Sequence, residues 1–169
     1  INNFLQNNNP DLIIDLHRDS SSYEKTTITF NDEPYARILF VVGKEHDGYE
    51  ANMLLAQELN ELIKKEIPNL SRGISVKEGK GVNGIYNQDL SSKMILLEVG
   101  GQYNNIKEVN NTLDVISKVL KLYLDERKEK DDQEREIKRK EMLEKWKSMK
   151  SSLPKCNFEN IAEKEQKRK

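Results

Sequence analysis

Three residues with chemically active side chains follow a short aliphatic segment near the start of the chain. Residues 12–16 are rich in branched aliphatics, which is typical of a strand buried on both faces, and His17, Arg18 and Asp19 come directly after them. Open α/β sheets bind ligands at the carboxyl ends of such strands. His17 is therefore a candidate zinc ligand that Asp15 or Asp19 could orient. A capped strand end with an Arg–Asp ion pair is the alternative interpretation.

A carboxylate interrupts a second aliphatic segment, MILLEV at residues 94–99. Glu98 stands among aliphatic neighbours, and glycines follow at positions 100 and 101. An ionised carboxylate on a buried strand is costly unless it is paired or lies in a functional cleft. The sequence thus indicates Glu98 as a candidate site residue, and a glutamate that simply faces the surface is the alternative.

Two further strands and a helix are predicted between these segments. Residues 25–30 alternate apolar and polar side chains, residues 35–42 are more hydrophobic, and the turn residues between them predict a hairpin. Asp47 and Glu50 have the spacing of a capping box at the start of an amphipathic helix that ends before Pro68. We expect this helix to cover the sheet with its apolar stripe.

A second core helix is predicted to begin at Asn105, where Glu108 completes another capping box, and to run through Tyr123. The region before the last strand, residues 69–89, is predicted to be irregular and contains four of the eight glycines. It lacks the spacing of a P-loop or a dinucleotide fingerprint. A loop at the rim of a substrate site is therefore favoured over a phosphate cradle.

The composition and charge of the 169 residues exclude some classes of protein. The 28 basic and 29 acidic side chains leave a formal charge of -1, so no global field indicates a nucleic-acid binder. A single cysteine, Cys156, excludes an internal disulfide and a cysteine-based zinc site. No segment approaches the roughly 20 apolar residues of a membrane span. Because the chain begins at Ile1 with a strand soon after, we expect any anchor or export signal to lie upstream.

The composition changes sharply after residue 124. Nearly every side chain from 125 to 141 is charged, and acidic residues precede basic ones by four positions, which stabilises a helix by about 0.2–0.5 kcal/mol per pair. We predict a folded domain at residues 1–124 and a solvated, projecting charged helix within an extension at 125–169. A coiled coil is disfavoured, since the apolar heptad seam is missing. The pairs are Glu126 with Lys130, Asp131 with Arg135, Glu134 with Lys138, and Glu136 with Lys140.

The end of this extension carries a short amphipathic patch that is a candidate for docking on the body or on a partner. The final residues, IAEKEQKRK, are predicted to form a frayed polar end. The patch consists of Met142, Leu143, Trp146, Met149 and Leu153.

Several segments taken together resemble the stage II sporulation protein P family, zinc-dependent N-acetylmuramoyl-L-alanine amidases of endospore-forming bacteria. The resemblance covers about residues 10–124, in the family's order and with its spacing. The HRD motif alone is unspecific, whereas this ordered set is specific. The segments are LIIDLHRDS at 12–20, KTTITFND at 25–32, YARILFVVG at 35–43, YEANMLLAQELN at 49–60, IPNLSRGI at 67–74, YNQDLS at 86–91 and LLEVGG at 96–101.

This resemblance implies an α/β fold with a mixed, largely parallel sheet flanked by helices, as in zinc amidases. It also implies that two histidines and a glutamate hold Zn²⁺ and that a further glutamate acts as general base. Matched position by position, His17 resembles the last zinc ligand and Glu98 the catalytic glutamate. Arg18 is a candidate for binding a carboxylate of the substrate peptide, because its planar guanidinium suits bidentate recognition.

The implied reaction is hydrolysis of the amide that joins muramic acid to the first L-alanine of peptidoglycan, during septal wall remodelling in forespore engulfment. Zinc would acidify a bound water and polarise the amide carbonyl, while Glu98 would pass the water proton to the leaving amine. The resemblance further implies a partner glycosidase, stage II sporulation protein D, and an extracytoplasmic, membrane-anchored location in the septal space.

The resemblance also implies that residues 1–124 are the C-terminal part of an amidase-like catalytic domain with an incomplete metal site. The family's first zinc histidine and its glutamate ligand lie upstream of the strand at Leu12, and His46 matches no family ligand, so we interpret it as a loop residue. A catalytic zinc needs three protein ligands, which His17 alone cannot supply. A non-catalytic module that binds peptidoglycan or a partner is the alternative function, and both the missing ligands and the helical extension favour it.

Overall fold

The structure is a computed structural model that describes residues 2–152. Leu153 of the predicted patch, Cys156 and the predicted frayed end lie outside the described residues. In chain order the elements are α1 (Asn2–Leu5), β1 (Ile13–Asp19), α2 (Tyr23–Thr26), β2 (Thr27–Phe30), β3 (Glu33–Ala36), β4 (Ile38–Gly43), α3 (Tyr49–Glu66), β5 (Ser71–Lys77), a 3-10 turn (Gln88–Leu90), β6 (Met94–Gly101) and α4 (Ile106–Ser152).

Four strands form the main sheet in the order β1-β6-β4-β5. The outer pairs, β1 with β6 and β4 with β5, are parallel, whereas the central pair, β4 with β6, is antiparallel. The sheet is therefore mixed and largely parallel, which confirms the predicted fold class.

One face of the main sheet carries the hydrophobic core. Successive residues of a strand point to opposite faces, so every second residue of β4 and β6 reaches the core while the residues between them face away. The helices α3 and α4 contribute aliphatic side chains to the same cluster, as predicted for covering helices. Its members include Ile38, Phe40 and Val42 from β4, Ile95, Leu97 and Val99 from β6, Leu59 and Ile63 from α3, and Ile116 and Val119 from α4.

The predicted hairpin is present, but its second strand was assigned wrongly. Residues 35–42 do not form one strand, because β3 pairs with β2 in a separate two-stranded sheet while β4 belongs to the main sheet. The break falls at Arg37, whose backbone N–H donates to the carbonyl of Thr26. Asn31 and Asp32 both have positive φ, which suits the two-residue turn that joins β2 to β3.

Two predictions about the strands of the main sheet are corrected. Residues 12–16 are not buried on both faces, because β1 is an edge strand among the described residues and Leu16 is 51% exposed. The region 69–89 is not irregular throughout, because β5 occupies Ser71–Lys77. That strand escaped prediction since it contains Arg72 and a glycine with φ of +95°, next to an irregularity in its pairing with β4.

Both predicted core helices are present, but only one of their predicted capping boxes is. α3 begins at Tyr49, one residue later than predicted, so that Gly48 rather than Asp47 occupies the N-cap and no side chain caps the helix. At the start of α4, the backbone N–H of Glu108 donates to the side chain of Asn105 and the backbone N–H of Asn105 donates to the Glu108 carboxylate, each at 3.0 Å. The second capping box is therefore confirmed.

The helix α4 is continuous over 47 residues and contains both the predicted core helix and the predicted charged helix. The chain divides into two compact units, with the boundary between Glu126 and Arg127. Side chains 127–151 are all exposed. None of the helices in the described part of the chain has both the length and the apolar character of a membrane-spanning segment.

The predicted ion pairs of the charged helix are partly present. Glu134 lies 3.8 Å from Lys138 and Glu136 lies 3.6 Å from Lys140, four residues apart in each case. Arg135 pairs with Asp132 rather than with Asp131. The described side chains of the amphipathic patch are exposed by 49–71%, and their docking stays a prediction.

Candidate functional site

The two residues that the sequence singled out on separate strands lie side by side. His17 of β1 and Glu98 of β6 are direct partners in the parallel register, and both side chains line one pocket. They come from chain positions 81 residues apart and meet because β1 pairs with β6. The fold therefore brings this imidazole and this carboxylate together in one pocket.

Strand alternation explains why a glutamate stands in an aliphatic strand. The residues on either side of Glu98, Leu97 and Val99, belong to the core, whereas Glu98 and Leu96 face the opposite side of the sheet, where the pocket lies. The Glu98 side chain is 24% exposed. Glu98 is thus neither a core charge nor a plain surface residue, but a partly desolvated carboxylate in a cleft.

His17 is oriented by the carboxylate two residues before it. Its Nε2 atom donates a hydrogen bond to Oδ1 of Asp15 at 2.9 Å, and both side chains project from the pocket face of β1. This bond leaves Nδ1 as the ring nitrogen with a free lone pair, which is the arrangement of a metal-binding histidine backed by a carboxylate. Asp15 is therefore the orienting residue, while the other candidate, Asp19, has a different partner.

Asp19 and Glu98 are linked by Arg72 of β5. The Arg72 guanidinium donates to the carboxylate of Asp19, and its Nη2 atom lies 3.9 Å from Oε2 of Glu98. Burial raises the pKa of Asp19, but the hydrogen bonds from Arg72 and from the backbone of Ser21 outweigh it and hold this pKa below its ordinary value. The Asp19–Arg72 pair thus stays ionised beside Glu98.

Glu98 is the more basic of the two carboxylates. Burial, and then the negative charge of Asp19, raise the pKa of Glu98 above its ordinary value, against the opposing effect of Arg72. A carboxylate with a raised pKa is a better proton acceptor than a free glutamate, which is the property a general base needs.

The pocket has a volume of about 350 Å³ and is walled on one side by the loop that follows β5. Its lining combines polar and charged side chains with two aliphatic ones. The lining residues are Asp15, His17, Val41, Lys77, Asn83, Tyr86, Asn87, Leu96 and Glu98.

The loop that walls the pocket is fixed to the end of β4. The side-chain amide of Gln88 accepts from the backbone N–H of Gly43 at 3.0 Å and donates to the carbonyl of Val41 at 2.8 Å. A Cβ atom on Gly43 would lie 2.3 Å from the carbonyl oxygen of Gly84, so only glycine allows this close approach. The predicted rim loop therefore does line a pocket, held in place by backbone contacts.

Two other polar residues considered in the sequence lie away from His17 and Glu98. The guanidinium of Arg18 donates to the backbone carbonyl of Asn104 at 3.5 Å, and Arg18 does not line the pocket. Its predicted role in binding a substrate carboxylate stays a prediction, without a position beside the candidate site. His46 lies in the loop between β4 and α3, as expected, and within residues 2–152 its buried ring nitrogens have no hydrogen-bond partner.

A catalytic zinc takes three protein ligands and leaves one position open. Among residues 2–152, no group of three or more His, Cys, Asp or Glu side chains could hold a metal ion. His17, backed by Asp15, has the character of one such ligand. The described residues by themselves do not form a complete zinc site.

Sequence reasoning missed the basic, amide and phenol side chains around the pocket, namely Arg72, Lys77, Asn83, Asn87 and Tyr86. Arg72 and Lys77 belong to β5, a strand that was not predicted, so nothing placed them beside β4 and β6. The polar residues of the glycine-bearing loop were the one available signal, because such loops commonly carry functional side chains.

Comparisons with known proteins agree with this arrangement of segments. The family model described as Stage II sporulation protein P (SpoIIP) matches residues 1–121. The chain is 42% identical over 123 residues to Stage II sporulation protein P of Bacillus subtilis (strain 168), a match that covers 72% of this chain and 31% of that protein. The chain thus spans about a third of the length of this relative. No solved structure matches. The chain therefore belongs to the Stage II sporulation protein P family and has a role in sporulation.

Proposed function

We propose that this chain is part of the catalytic domain of a zinc-dependent N-acetylmuramoyl-L-alanine amidase that remodels septal peptidoglycan during forespore engulfment. The observation that carries the proposal is the pairing of His17 with Glu98 in one pocket, where each has the environment its role requires. His17 is backed by a carboxylate, as metal-binding histidines are, and Glu98 has a raised pKa, as a general base needs.

In this proposal Glu98 is the group that moves the proton. A water molecule adds to the carbonyl carbon of the lactyl amide and gives its proton to the Glu98 carboxylate. Glu98 then protonates the amide nitrogen, the C–N bond breaks, and the peptide leaves with a free amino group on L-alanine. Arg72 stays paired with Asp19 and keeps a positive charge 3.9 Å from Glu98 throughout.

Zinc, when bound, would polarise the carbonyl and acidify the water. Among residues 2–152, His17 is the residue that would hold it, together with ligands from polypeptide outside this range. Peptidoglycan, a stage II sporulation protein D-like glycosidase as partner, and an extracytoplasmic, membrane-anchored location belong to the same proposal, which rests on membership of the family.

The test is a comparison of Glu98→Gln with the unchanged protein, using the complete protein supplied with zinc and purified cell wall. We expect release of stem peptide to fall by roughly 10²–10⁴-fold, because glutamine keeps the shape of the side chain but cannot accept the proton. Binding to cell wall and zinc content should persist, since His17 rather than Glu98 is the proposed ligand.

Glu58→Gln is the matched control, because Glu58 is an exposed residue of α3 away from the pocket. Full peptide release by Glu98→Gln would contradict the role of Glu98. An unchanged protein that binds cell wall and keeps zinc but releases no peptide would instead support the non-catalytic binding module.

A further inference from the structure

We propose that the end of the pocket away from Glu98 is a subsite for a carboxylate of an acidic peptide, and that Lys77 binds this carboxylate. The inference rests on the proposed function, since it assigns the chemistry of the substrate at the same site. No motif of the sequence assigns a role to Lys77.

Lys77 and Glu98 lie at opposite ends of the pocket. Lys77 is the last residue of β5 and pairs with Gly43 of β4, whereas Glu98 pairs with Leu39 of the same strand. Four steps along β4 separate these two levels, which is roughly 13 Å along an extended strand, and β4 itself lies between β5 and β6. Both side chains nevertheless line the pocket, so one ligand can reach them together.

The charges divide the pocket into an acidic end and a basic end. Asp15 and Glu98 belong to β1 and β6 on one side of β4, where they would repel an anion, and Lys77 belongs to β5 on the other side. Within residues 2–152 the Lys77 ammonium makes no hydrogen bond and no close ion pair. Its electrostatic interaction is a longer-range attraction to the Glu98 carboxylate. The neighbouring Lys44, by contrast, is paired with Glu78 at 2.9 Å. Lys77 is therefore the cation available to a ligand in the pocket.

The loop beside Lys77 adds a hydrogen-bond donor. The side-chain oxygen of Asn83 accepts from the backbone N–H groups of Ile85 and Tyr86 at 3.1 and 3.4 Å. These bonds use the side-chain oxygen and fix the orientation of the amide, so its NH₂ group is the remaining donor of a residue that lines the pocket. An ammonium and an amide NH₂ on one wall form a donor pair that suits a carboxylate.

The size of the pocket limits where that carboxylate stands in the substrate. A volume of about 350 Å³ is at the lower end of the range for small-molecule sites, enough for a short peptide segment. A pocket of this volume holds only a short peptide segment, so with Glu98 at the scissile amide a carboxylate bound by Lys77 lies within a few residues of that bond. The carboxylate therefore belongs to the stem peptide, close to the bond that is cut.

The test uses two synthetic muramoyl peptides that differ only in one group, a free carboxylate or a carboxamide on the residue after L-alanine. With the complete zinc-loaded protein we expect Lys77→Met to raise KM for the carboxylate peptide about tenfold and to leave kcat and the KM for the carboxamide peptide unchanged. Lys77→Arg should keep most of the preference for the carboxylate peptide, because arginine also carries a positive charge. Lys80→Met, at an exposed lysine of the same loop, is the control and should change neither KM.

The inference would be overturned if Lys77→Met raised KM equally for both peptides, or for neither of them. Cleavage of neither peptide by the unchanged protein would contradict the proposed function instead. Calorimetric titration of the same peptides still decides the inference in that case, since a Lys77 subsite requires tighter binding of the carboxylate peptide and loss of this difference in Lys77→Met.

Discussion

Glu108 and Glu98 are both shielded from solvent, and their hydrogen bonds give them opposite properties. Glu108 is 2% exposed, yet it accepts hydrogen bonds from the Tyr23 hydroxyl at 2.6 Å, the Asn104 side chain at 2.9 Å and the Asn105 backbone at 3.0 Å. Burial raises the pKa of Glu108, but these donors outweigh it and leave the pKa below the ordinary value of 4.5. Glu98, without such donors, keeps a raised pKa. The first glutamate is a structural anchor and the second is suited to proton transfer.

Replacing Glu108 with glutamine is predicted to make stability less dependent on pH. Because its pKa is lowered in the folded state, the carboxylate stabilises the fold fully above about pH 4.5, and this contribution is lost as the pH falls through the lowered value. We expect Glu108→Gln to reduce the free energy of unfolding at pH 7 by about 2 kcal/mol and by clearly less at pH 3. Urea denaturation at both pH values measures this, with Glu58→Gln as control, and an equal loss at both would contradict it.

At the scale of elements, the site depends on how the strand β4 meets the loop after β5. Gly43 ends β4 directly against the carbonyl of Gly84, and Glu45 holds the loop at two points, through its backbone N–H to Gly84 and its side chain to the N–H of Gly79. Tyr86 and Asn87 follow with φ values of 54° and 57°, a conformation that non-glycine residues adopt at a cost. The contacts of the loop with β4 thus maintain the wall of the pocket.

Gly43→Ala tests this close contact. The added methyl group would lie 2.3 Å from a backbone oxygen, so either the strand or the loop must move. We expect a loss of about 1–3 kcal/mol in the free energy of unfolding and faster amide hydrogen exchange over residues 79–88. Gly48→Ala is the matched control, since its methyl group would meet no atom closer than 3.8 Å. Unchanged exchange in Gly43→Ala would show that the contact does not hold the loop.

At the scale of the whole molecule, the folded core lies in the part of the chain that matches the family. All buried residues among those described lie between Thr26 and Tyr123, and the family match covers residues 1–121. The described side chains after Glu126 are exposed, and their ion pairs are solvated ones that stabilise a helix only slightly. The stability of the first unit should therefore not depend on the second.

A chain shortened to end at Glu126 is predicted to fold by itself. Because the truncation removes no residue of the described core, we expect the near-ultraviolet circular dichroism to be retained and the thermal midpoint to change by less than about 4 °C. A molten or aggregated product would contradict the predicted independence of residues 1–124, which stays a prediction until this measurement is made.

The residues and their local order by themselves determined much of the site. The aliphatic segments that contain Glu98 and precede His17, the capping box of Asn105 and Glu108, and the amphipathic stripes of α3 and α4 are local patterns. Each predicted the presence of its element, although β1 is not buried on both faces as expected. His17 and Glu98 could be selected in the same way, because polar groups in aliphatic strands need a local explanation, whereas the choice of Asp15 over Asp19 needed the structure.

Only the tertiary structure decided which residues meet. The pairing of β1 with β6 places His17 opposite Glu98, and the pairing of β5 with β4 brings Arg72 and Lys77 to the pocket. Such pairings depend on the surfaces that distant strands offer one another, and the side-chain pattern of a single strand does not specify its neighbour. This is why β5, with its glycine and arginine, was missed, and why the basic end of the pocket became visible only in the folded chain.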